Sequence, residues 1–335
     1  MSPLYPTRQL GRNVPMVSAI GVGTMGLGGA FYGSADEDSV LGMLSHVADS
    51  GITFWDTADV YGASEAIIGK WFKTTGRRGE IFLSTKFGAK DPTENAENIW
   101  RPTKQLQASL ALLDPNPDDA GEVKPHKIHI DLYFQHRVDP DVPIERKNIP
   151  LRPFTETGEI GYLGLSDCGI DVLRPKPFLA REIGVGIILY SPLGRDFEAT
   201  DVCLFMPRFD EANFAANLKL VRNFESLAVK YSATSTQIAL SWILAAYPDF
   251  VPIPGMQDAV RIQENAMAAQ IALFQDDLRA IGQAVRNEYA RGTRLPTGFT
   301  SSACSAKVEP IFLDPSSMSR IGLYFVFWPL ESPLE

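Results

Sequence analysis

The hydrophobic pattern of this 335-residue chain alternates between two kinds of segment. Short apolar runs of strand length, such as 81–86 and 130–135, are rich in β-branched and aromatic residues. Longer segments repeat apolar residues at helical spacing. This alternation predicts parallel β/α units. The pattern predicts helices over 37–50, 64–72, 106–113, 214–231, 235–246, 261–269 and 275–287.

Three successive apolar runs end in ionisable residues. The first ends at Asp56, and Tyr61 follows five residues later in the loop. The next two runs end at Lys86 and His136. In a parallel barrel the carboxyl ends of the strands share the face that carries the active site. We therefore expect these four side chains to meet there.

The four residues suit acid catalysis on a carbonyl group. A phenol has an unperturbed pKa of about 10, and an adjacent ammonium lowers such a pKa. Lys86 could supply that field, and Asp56 could pair with it if both are buried. His136 could bind a substrate oxygen near Tyr61. Because the set contains no nucleophile and no metal cluster, a carbonyl protonated by Tyr61 would need a hydride from a nicotinamide cofactor.

Each of these residues also has a purely structural interpretation. Asp56 could cap a strand end, Tyr61 could be an aromatic at the rim, and Lys86 could be a solvated charge. His136 alone could be a core histidine with satisfied hydrogen bonds. Their joint spacing favours the catalytic interpretation.

Composition narrows the class of protein. The net charge of -9 and the pI near 5.1 provide no basic surface for nucleic acid or for acidic membranes. The chain contains no run of 18 apolar residues, which a membrane-spanning helix would need. Its amino terminus lacks the apolar core of a signal peptide. Three scattered cysteines fit neither a disulfide framework nor a zinc site, so no metal is expected. We expect a cytoplasmic protein, with a homo-oligomer left open.

Further motifs follow the tetrad in a fixed order. They are Gly161–Ser166, Ile188–Arg195, Pro252–Gly255 and the spaced trio Arg261, Glu264 and Asn265; Gly21–Leu27 precedes them all. Together with the tetrad, this order resembles the aldo-keto reductase superfamily. The most similar branch is the microbial one that reduces aromatic aldehydes and pyridoxal, which is related to potassium-channel beta subunits.

The resemblance implies a TIM-type (β/α)8 barrel of the α/β class that reduces a small aldehyde or ketone with NADPH. It assigns Tyr61 as the general acid, Asp56 and Lys86 as the residues that tune it, and His136 as the residue that orients the carbonyl. Arg261 would bind the 2'-phosphate of NADPH. Two alternatives remain: Arg261 is only a charge on the helix surface, or Asp258 repels the phosphate. The implied cofactor-binding residues are Gly23, Thr24, Met25, Asp56, Ser166, Tyr190, Ser191, Leu193, Gly194, Arg195, Arg261, Glu264 and Asn265.

The sequence departs from the family pattern around the sixth strand. From Ser166 to Tyr190 is a step of 24 residues (190 − 166), which is too short for two helices and a strand. One β/α unit is therefore expected to be missing. The missing unit would include the glutamine that, in the family, normally helps to hold the carboxamide of the nicotinamide. We assign 1–300 to the barrel and 301–335 to an irregular C-terminal tail, although 321–328 is unusually apolar. A splice form with altered exon boundaries would explain both departures.

Three outcomes follow from such a gap. The strand ending at Tyr190 could slide over and pair with the strand ending at Ser166, which would displace both residues. The chain could instead be a catalytically weak cofactor-binding or regulatory protein. It could also fail to fold, because a barrel closes only when strand number, tilt and stagger agree.

Overall fold

A computed structural model describes residues 4–12, 14–29, 36–89, 102–114, 129–137, 149–166, 186–193, 207–255, 258–287, 291–292 and 322–327. The helices predicted from apolar spacing are confirmed, with ends that differ by a few residues. The α-helices in this part of the chain are α1 (Glu37–Asp49), α2 (Ser64–Thr75), α3 (Pro102–Leu113), α4 (Arg152–Glu156), α5 (Glu211–Tyr231), α6 (Ser235–Ala246), α7 (Ala259–Met267) and α8 (Gln275–Asn287).

The helix ends follow from local chemistry. Asp36 caps α1, because its side chain accepts a hydrogen bond from the backbone N–H of Ser39. Thr234 and Gln237 form a capping box at the start of α6. Gly76 ends α2 in the left-handed conformation, with a φ of 69°. Helix α4 is short and carries a proline in its first turn, where no intrahelical N–H is required.

The strands form a hairpin and one larger sheet. In chain order they are β1 (Thr7–Gln9), β2 (Met16–Ser18), β3 (Val22–Gly23), β4 (Phe54–Asp56), β5 (Phe82–Phe87), β6 (Ile130–Gln135), β7 (Ile160–Ser166), β8 (Gly186–Tyr190), β9 (Phe250–Ile253) and β10 (Gly322–Phe327). Within the described ranges the larger sheet has eight strands in the order β3-β4-β5-β6-β7-β10-β8-β9.

Strands β3 to β7 are parallel neighbours in chain order, and β8 and β9 form a second parallel pair. The two ends of the sheet are joined by a parallel bridge between Gly23 and Gly255. The backbone N–H groups of Gly21 and Gly23 also donate to the carbonyls of Pro252 and Pro254. The strands thus follow the circular order of a barrel, with β10 in the sixth place.

The β1–β2 hairpin belongs to the same core as the barrel interior. Leu10 and Val17 are fully buried and pack in one cluster with the inward residues Phe54, Leu132 and Ile188. Arg8 fixes the hairpin, since its guanidinium donates to backbone carbonyls at and beyond the carboxyl end of α6.

Strand β10 corrects one expectation about the gap. The strand ending at Tyr190 does not slide over to pair with the one ending at Ser166, because β10 lies between β8 and β7 and is antiparallel to both. It comes from the segment expected to be an irregular tail. The two predicted helix fragments between Ser166 and Gly186 lie outside the described residues.

Candidate active site

The predicted tetrad meets at the carboxyl ends of three adjacent parallel strands. Asp56 ends β4, Lys86 lies near the end of β5, and His136 directly follows β6. The register pairs Asp56 with Ser84 and Phe87 with Gln135, so the three strand ends lie side by side. All four side chains belong to buried residues: Asp56, Tyr61, Lys86 and His136.

Asp56 and Lys86 form an ion pair inside the barrel. The Lys86 Nζ atom donates to Asp56 Oδ2 at 2.6 Å and to the carbonyl oxygen of Thr57 at 2.5 Å. Ser84 Oγ donates to the other carboxylate oxygen of Asp56 at 2.6 Å. Burial raises the pKa of the Asp56 carboxyl, and the charge and hydrogen bond of Lys86 partly offset that rise. The pair places a desolvated ammonium at a fixed position.

Tyr61 lies beside both Lys86 and His136. The Lys86 Nζ atom is 4.9 Å from the centre of the Tyr61 ring. The rings of Tyr61 and His136 are 5.8 Å apart and nearly perpendicular, at 83°. The phenol, the ammonium and the imidazole therefore lie close together at the carboxyl ends of the strands.

His136 is held as a neutral imidazole. Burial lowers its pKa well below the usual value, and the charges of Arg137 and Lys86 lower it further. Its Nδ1 atom is buried without a hydrogen-bond partner among the described atoms. A buried polar atom of this kind normally has a partner, so it marks a place for a ligand atom or water.

Two glycines fix the loop that carries Tyr61. A Cβ atom on Gly28 would lie 1.5 Å from the carbonyl oxygen of Tyr61, so only glycine allows this approach of the two loops. The Gly28 carbonyl also accepts from the backbone N–H of Ala63. Gly62 has a φ of 60°, which glycine adopts without strain. The sequence analysis did not predict these roles, although Gly28 directly follows the motif Gly21–Leu27 and Gly62 directly follows Tyr61.

A second buried carboxylate lies behind the tetrad. Glu65, in the first turn of α2, accepts hydrogen bonds from Thr85 Oγ1 at 2.6 Å and Ser109 Oγ at 3.2 Å. Burial raises the pKa of Glu65, and its two hydroxyl donors partly offset the rise. Glu65 thus ties α2 and α3 to the strand of Lys86. The burial of Glu65 could have been predicted from the helical spacing, because Glu65 lies on the same face of α2 as Ile68 and Phe72, which are buried in the core.

Of the residues assigned to the cofactor, Ser166 and Tyr190 end β7 and β8. Ser166 is fully buried, and its Oγ atom has no hydrogen-bond partner among the described atoms. Ser191 has a φ of 48°, an uncommon conformation for a residue with a side chain. This strained turn directly follows Tyr190, so the backbone bends sharply at the mouth of the barrel.

The residues after the first barrel strand are also at this face. Gly23 ends β3, and Thr24 is fully buried. Thr24 Oγ1 donates to the carbonyl oxygen of Asp56 at 2.9 Å and shares a 2.8 Å hydrogen bond with Ser64. Met25 is half-buried. Thr24 therefore supports Asp56 directly, whereas Leu193 is exposed and Gly194 and Arg195 lie outside the described residues.

Arg261 and Asp258 lie together at the start of α7. Asp258 caps the helix by accepting from the backbone N–H of Arg261 at 2.8 Å. Its other oxygen is 3.5 Å from Arg261 Nε, and both side chains are about half exposed. Glu264 accepts from Thr234 Oγ1 at 2.5 Å, and Asn265 is buried. Asp258 therefore pairs with the guanidinium that was predicted to bind phosphate.

The described residues contain no group of three or more histidine, cysteine or acidic side chains that could hold a metal ion. Among the helices in the described ranges, none is long and apolar enough to cross a membrane.

Comparison with known proteins identifies the family of the chain. The sequence pattern of the Aldo/keto reductase family matches residues 19–175 and 176–286. The chain is 34% identical to the aldo-keto reductase yakc [NADP(+)] of Schizosaccharomyces pombe, a match that covers 94% of this chain and 99% of the relative. It is also 34% identical to the aldo-keto reductase str7 of Strobilurus tenacellus, with 86% and 94% covered.

Two solved structures show the same fold at low sequence identity. The glycerol dehydrogenase of Gluconobacter oxydans superposes with a TM-score of 0.69 at 21% identity, covering 90% of this chain and 100% of that one. A thermostable aldo-keto reductase bound to the inhibitor epalrestat gives 0.62 at 23% identity, covering 83% and 99%.

The chain therefore belongs to the aldo/keto reductase family, whose members are oxidoreductases that act on small carbonyl compounds. Its fold is the TIM-type barrel of that family, as the sequence predicted.

Proposed function

We propose that this chain reduces an aldehyde or ketone, preferably an aromatic or small aldehyde, to the alcohol with NADPH and with Tyr61 as the general acid. The observation that carries the proposal is the buried Lys86–Asp56 pair beside the Tyr61 ring. A fixed ammonium beside a phenol can stabilise the negative charge that develops on the phenol oxygen while its proton is transferred. This is the property that a general acid for a carbonyl oxygen requires.

His136 positions the carbonyl in this proposal. As a neutral imidazole it carries one N–H donor and no charge. It can therefore donate a hydrogen bond to the carbonyl oxygen without competing with Tyr61 as the acid. The rings of Tyr61 and His136 are 5.8 Å apart and nearly perpendicular, which suits an approach of both side chains to one carbonyl oxygen.

The residues of the barrel mouth fit a nicotinamide cofactor. Ser166 offers a buried hydroxyl that has no hydrogen-bond partner among the described residues, which suits a carboxamide, and Tyr190 ends β8 at the same face. NADPH would supply the hydride. Arg261 would bind the 2'-phosphate of NADPH, since a guanidinium binds phosphate through two parallel hydrogen bonds. Its pairing with Asp258 reduces the charge available for that contact.

A cofactor-binding protein with little or no turnover is the second candidate. It is favoured by the antiparallel β10 in the sixth place of the barrel, because that strand adjoins both Ser166 and Tyr190. A regulatory protein would still bind NADPH, since binding and proton transfer use different residues.

Loss of nicotinamide absorbance in the presence of an aromatic aldehyde tests the proposal. The full-length protein should consume NADPH only when the aldehyde is present and should form the corresponding alcohol. Tight binding of NADPH with no turnover on a panel of aromatic and small aldehydes would support the second candidate. Absence of both binding and turnover would reject both.

A further inference from the structure

Strand β10 lies between β7 and β8 and pairs with both. It pairs with β7 from Tyr324 opposite Ser166 to Phe327 opposite Leu163. It pairs with β8 from Gly322 opposite Tyr190 to Val326 opposite Gly186. The end of β10 near Gly322 therefore lies at the carboxyl ends of its two neighbours, where the candidate site is.

The sequence of β10 is typical of a central strand. Residues 322–327 contain no charged residue and no polar residue other than one tyrosine, in the order Gly-Leu-Tyr-Phe-Val-Phe. A strand buried on both faces is a nearly continuous apolar run. An exposed strand or tail of this composition would invite pairing with other chains, and natural edges usually carry charges or proline instead. The composition thus agrees with the position in the sheet.

The strand comes from outside the part of the chain that resembles the family. The family pattern ends at residue 286, and its two parts meet between 175 and 176, inside the short step from Ser166 to Tyr190. The alignment with the yeast relative spans 357 residues, more than the 335 of this chain, so the relative contains residues that this chain lacks. The break between the two matched parts therefore falls between β7 and β8, the two strands that β10 separates in the sheet.

The connection to β10 is long enough to reach this place. Helix α8 ends at Asn287, and β10 begins at Gly322. The intervening 34 residues (322 − 288) could span up to ~110 Å when extended, at about 3.3 Å per residue. The chain is therefore free to enter the sheet antiparallel, without the crossover helix that a parallel strand requires.

We propose that β10 takes the place of the lost sixth strand and, by pairing beside Ser166 and Tyr190, positions the two strand ends that bind the nicotinamide. The second part rests on the proposed function. Without β10, the facing edges of β7 and β8 would expose unpaired backbone N–H and C=O groups, each a cost to the folded state.

A disulfide crosslink tests the placement in the full-length chain. The three native cysteines are replaced by serine, and Phe325→Cys is combined with Leu165→Cys, since these two residues are register partners. Partners in an antiparallel ladder lie about 4.5–5.5 Å apart at Cα, which is within the range for a disulfide. The control combines Phe327→Cys with Leu165→Cys, which moves one thiol two residues along the strand.

The proposal expects an intramolecular disulfide in the first variant, found by peptide mass after oxidation, and little in the control. Equal crosslinking in both variants, or none in either, would overturn the placement. A disulfide between two chains, seen as a dimer on a non-reducing gel, would also overturn it and would indicate strand exchange between copies.

Proline substitution tests the positioning role. Phe325→Pro removes a backbone N–H from the ladders of β10, and Phe325→Val keeps that N–H and a strand-favouring side chain. The proline variant should bind NADPH about tenfold or more weakly by fluorescence titration, a loss of about 1.4 kcal/mol. The valine variant should bind close to wild type. Unchanged NADPH affinity in a folded Phe325→Pro chain would overturn the positioning role.

Failure of the two proposals can be told apart. If the crosslink forms but the wild-type chain does not bind NADPH, the placement of β10 stands and the proposed function fails. If Phe325→Pro does not fold while Phe325→Val does, the positioning role is tested instead by the NADPH affinity of the crosslinked variant, Phe325→Cys with Leu165→Cys. Locking β10 in register should keep or tighten NADPH affinity, and a weaker affinity would overturn the role.

Discussion

The two halves of the barrel are built in different ways. In the half from β3 to β7, each strand is parallel to the one before it in the chain, and a large shared core packs around Trp55, Trp71 and Tyr133. In the other half, β8 and β9 have a separate outer core around Ile238 and Trp242, and β10 joins them from the end of the chain. The first half carries the residues proposed for proton transfer, and the second half provides most of the proposed cofactor contacts.

The difference separates the residues proposed for catalysis from the strands that adjoin β10. The Asp56–Lys86 pair, Tyr61 and His136 depend on β4, β5 and β6, whose registers are continuous. Ser166 and Tyr190 instead end the two strands that adjoin β10. We therefore expect the two halves to respond separately to mutation.

The largest effect is expected at Tyr61. Tyr61→Phe keeps the ring and removes the proton, so carbonyl reduction should fall by about 100-fold or more. NADPH affinity should hardly change, because the residues proposed to bind it are elsewhere. Steady-state kinetics with fluorescence titration measure both quantities. Tyr247→Phe is the matched control, since that ring stacks on Phe250 at 4.7 Å on another part of the barrel. Most activity surviving in Tyr61→Phe would remove Tyr61 as the acid.

Lys86→Met should destabilise the fold as well as lower activity. Removal of one member of a buried ion pair leaves the other uncompensated and typically costs about 3–5 kcal/mol. Asp56 would then take up a proton, because burial already raises its pKa. Urea denaturation gives the free energy of unfolding. Lys73→Met, on the exposed side of α2, is the control. Equal stability of the two variants would contradict the importance of the pair.

Arg261 should distinguish the two nicotinamide cofactors. Arg261→Ala should weaken NADPH by roughly tenfold to hundredfold, the range for a hydrogen bond to a charged group, and should leave NADH nearly unchanged. Arg279→Ala, an exposed arginine on α8 paired with Asp276, is the control. Equal losses for both cofactors would mean that Arg261 does not contact the phosphate.

Asp258→Asn should change NADPH affinity less than Arg261→Ala does, and in the opposite direction. Asparagine keeps the helix cap and removes the charge that pairs with Arg261. NADPH affinity should rise by a few-fold, the range for a surface ion pair of up to about 1 kcal/mol. Titration at low and high salt checks the cause, because screening should reduce the gain. A loss of affinity would show that Asp258 supports the cofactor site.

The smallest effect concerns pH and His136. The pKa of the folded His136 is depressed, and an unfolded histidine has a pKa of about 6.5. The unfolded chain therefore binds more protons below that pH, so His136 makes the folded state less stable as pH falls below 6.5. His136→Gln should flatten the pH dependence of unfolding free energy between pH 5 and 6.5. An unchanged slope would mean that His136 titrates normally.

The sequence predicted the first half well because its signals are local. Each tetrad residue stands at or just beyond the end of an apolar run, and a parallel β/α order places such ends together. Helical spacing places Glu65 on a core-facing side of α2, but its hydrogen bond to Thr85 depends on a contact between elements that no periodicity reveals. Gly28 was missed for the same reason, because its role depends on a contact with the Tyr61 backbone.

The second half was harder to predict because its pairing is not local. The apolar run that includes β10 was visible in the sequence, but nothing in its spacing identifies β7 and β8 as its partners. The short step from Ser166 to Tyr190 predicted a lost strand, and it could not predict that a segment more than 130 residues later (322 − 190) would lie there.

The separation of the two halves is tested most directly by titrating NADPH into Tyr61→Phe and Phe325→Pro side by side, with turnover measured on the same samples over a range of NADPH concentrations up to saturation. The account predicts that Tyr61→Phe binds NADPH like wild type and loses turnover. It predicts that Phe325→Pro binds NADPH weakly and regains much of its turnover as NADPH is raised. Loss of binding and turnover together in both variants would contradict the division into a proton-transfer half and a cofactor half.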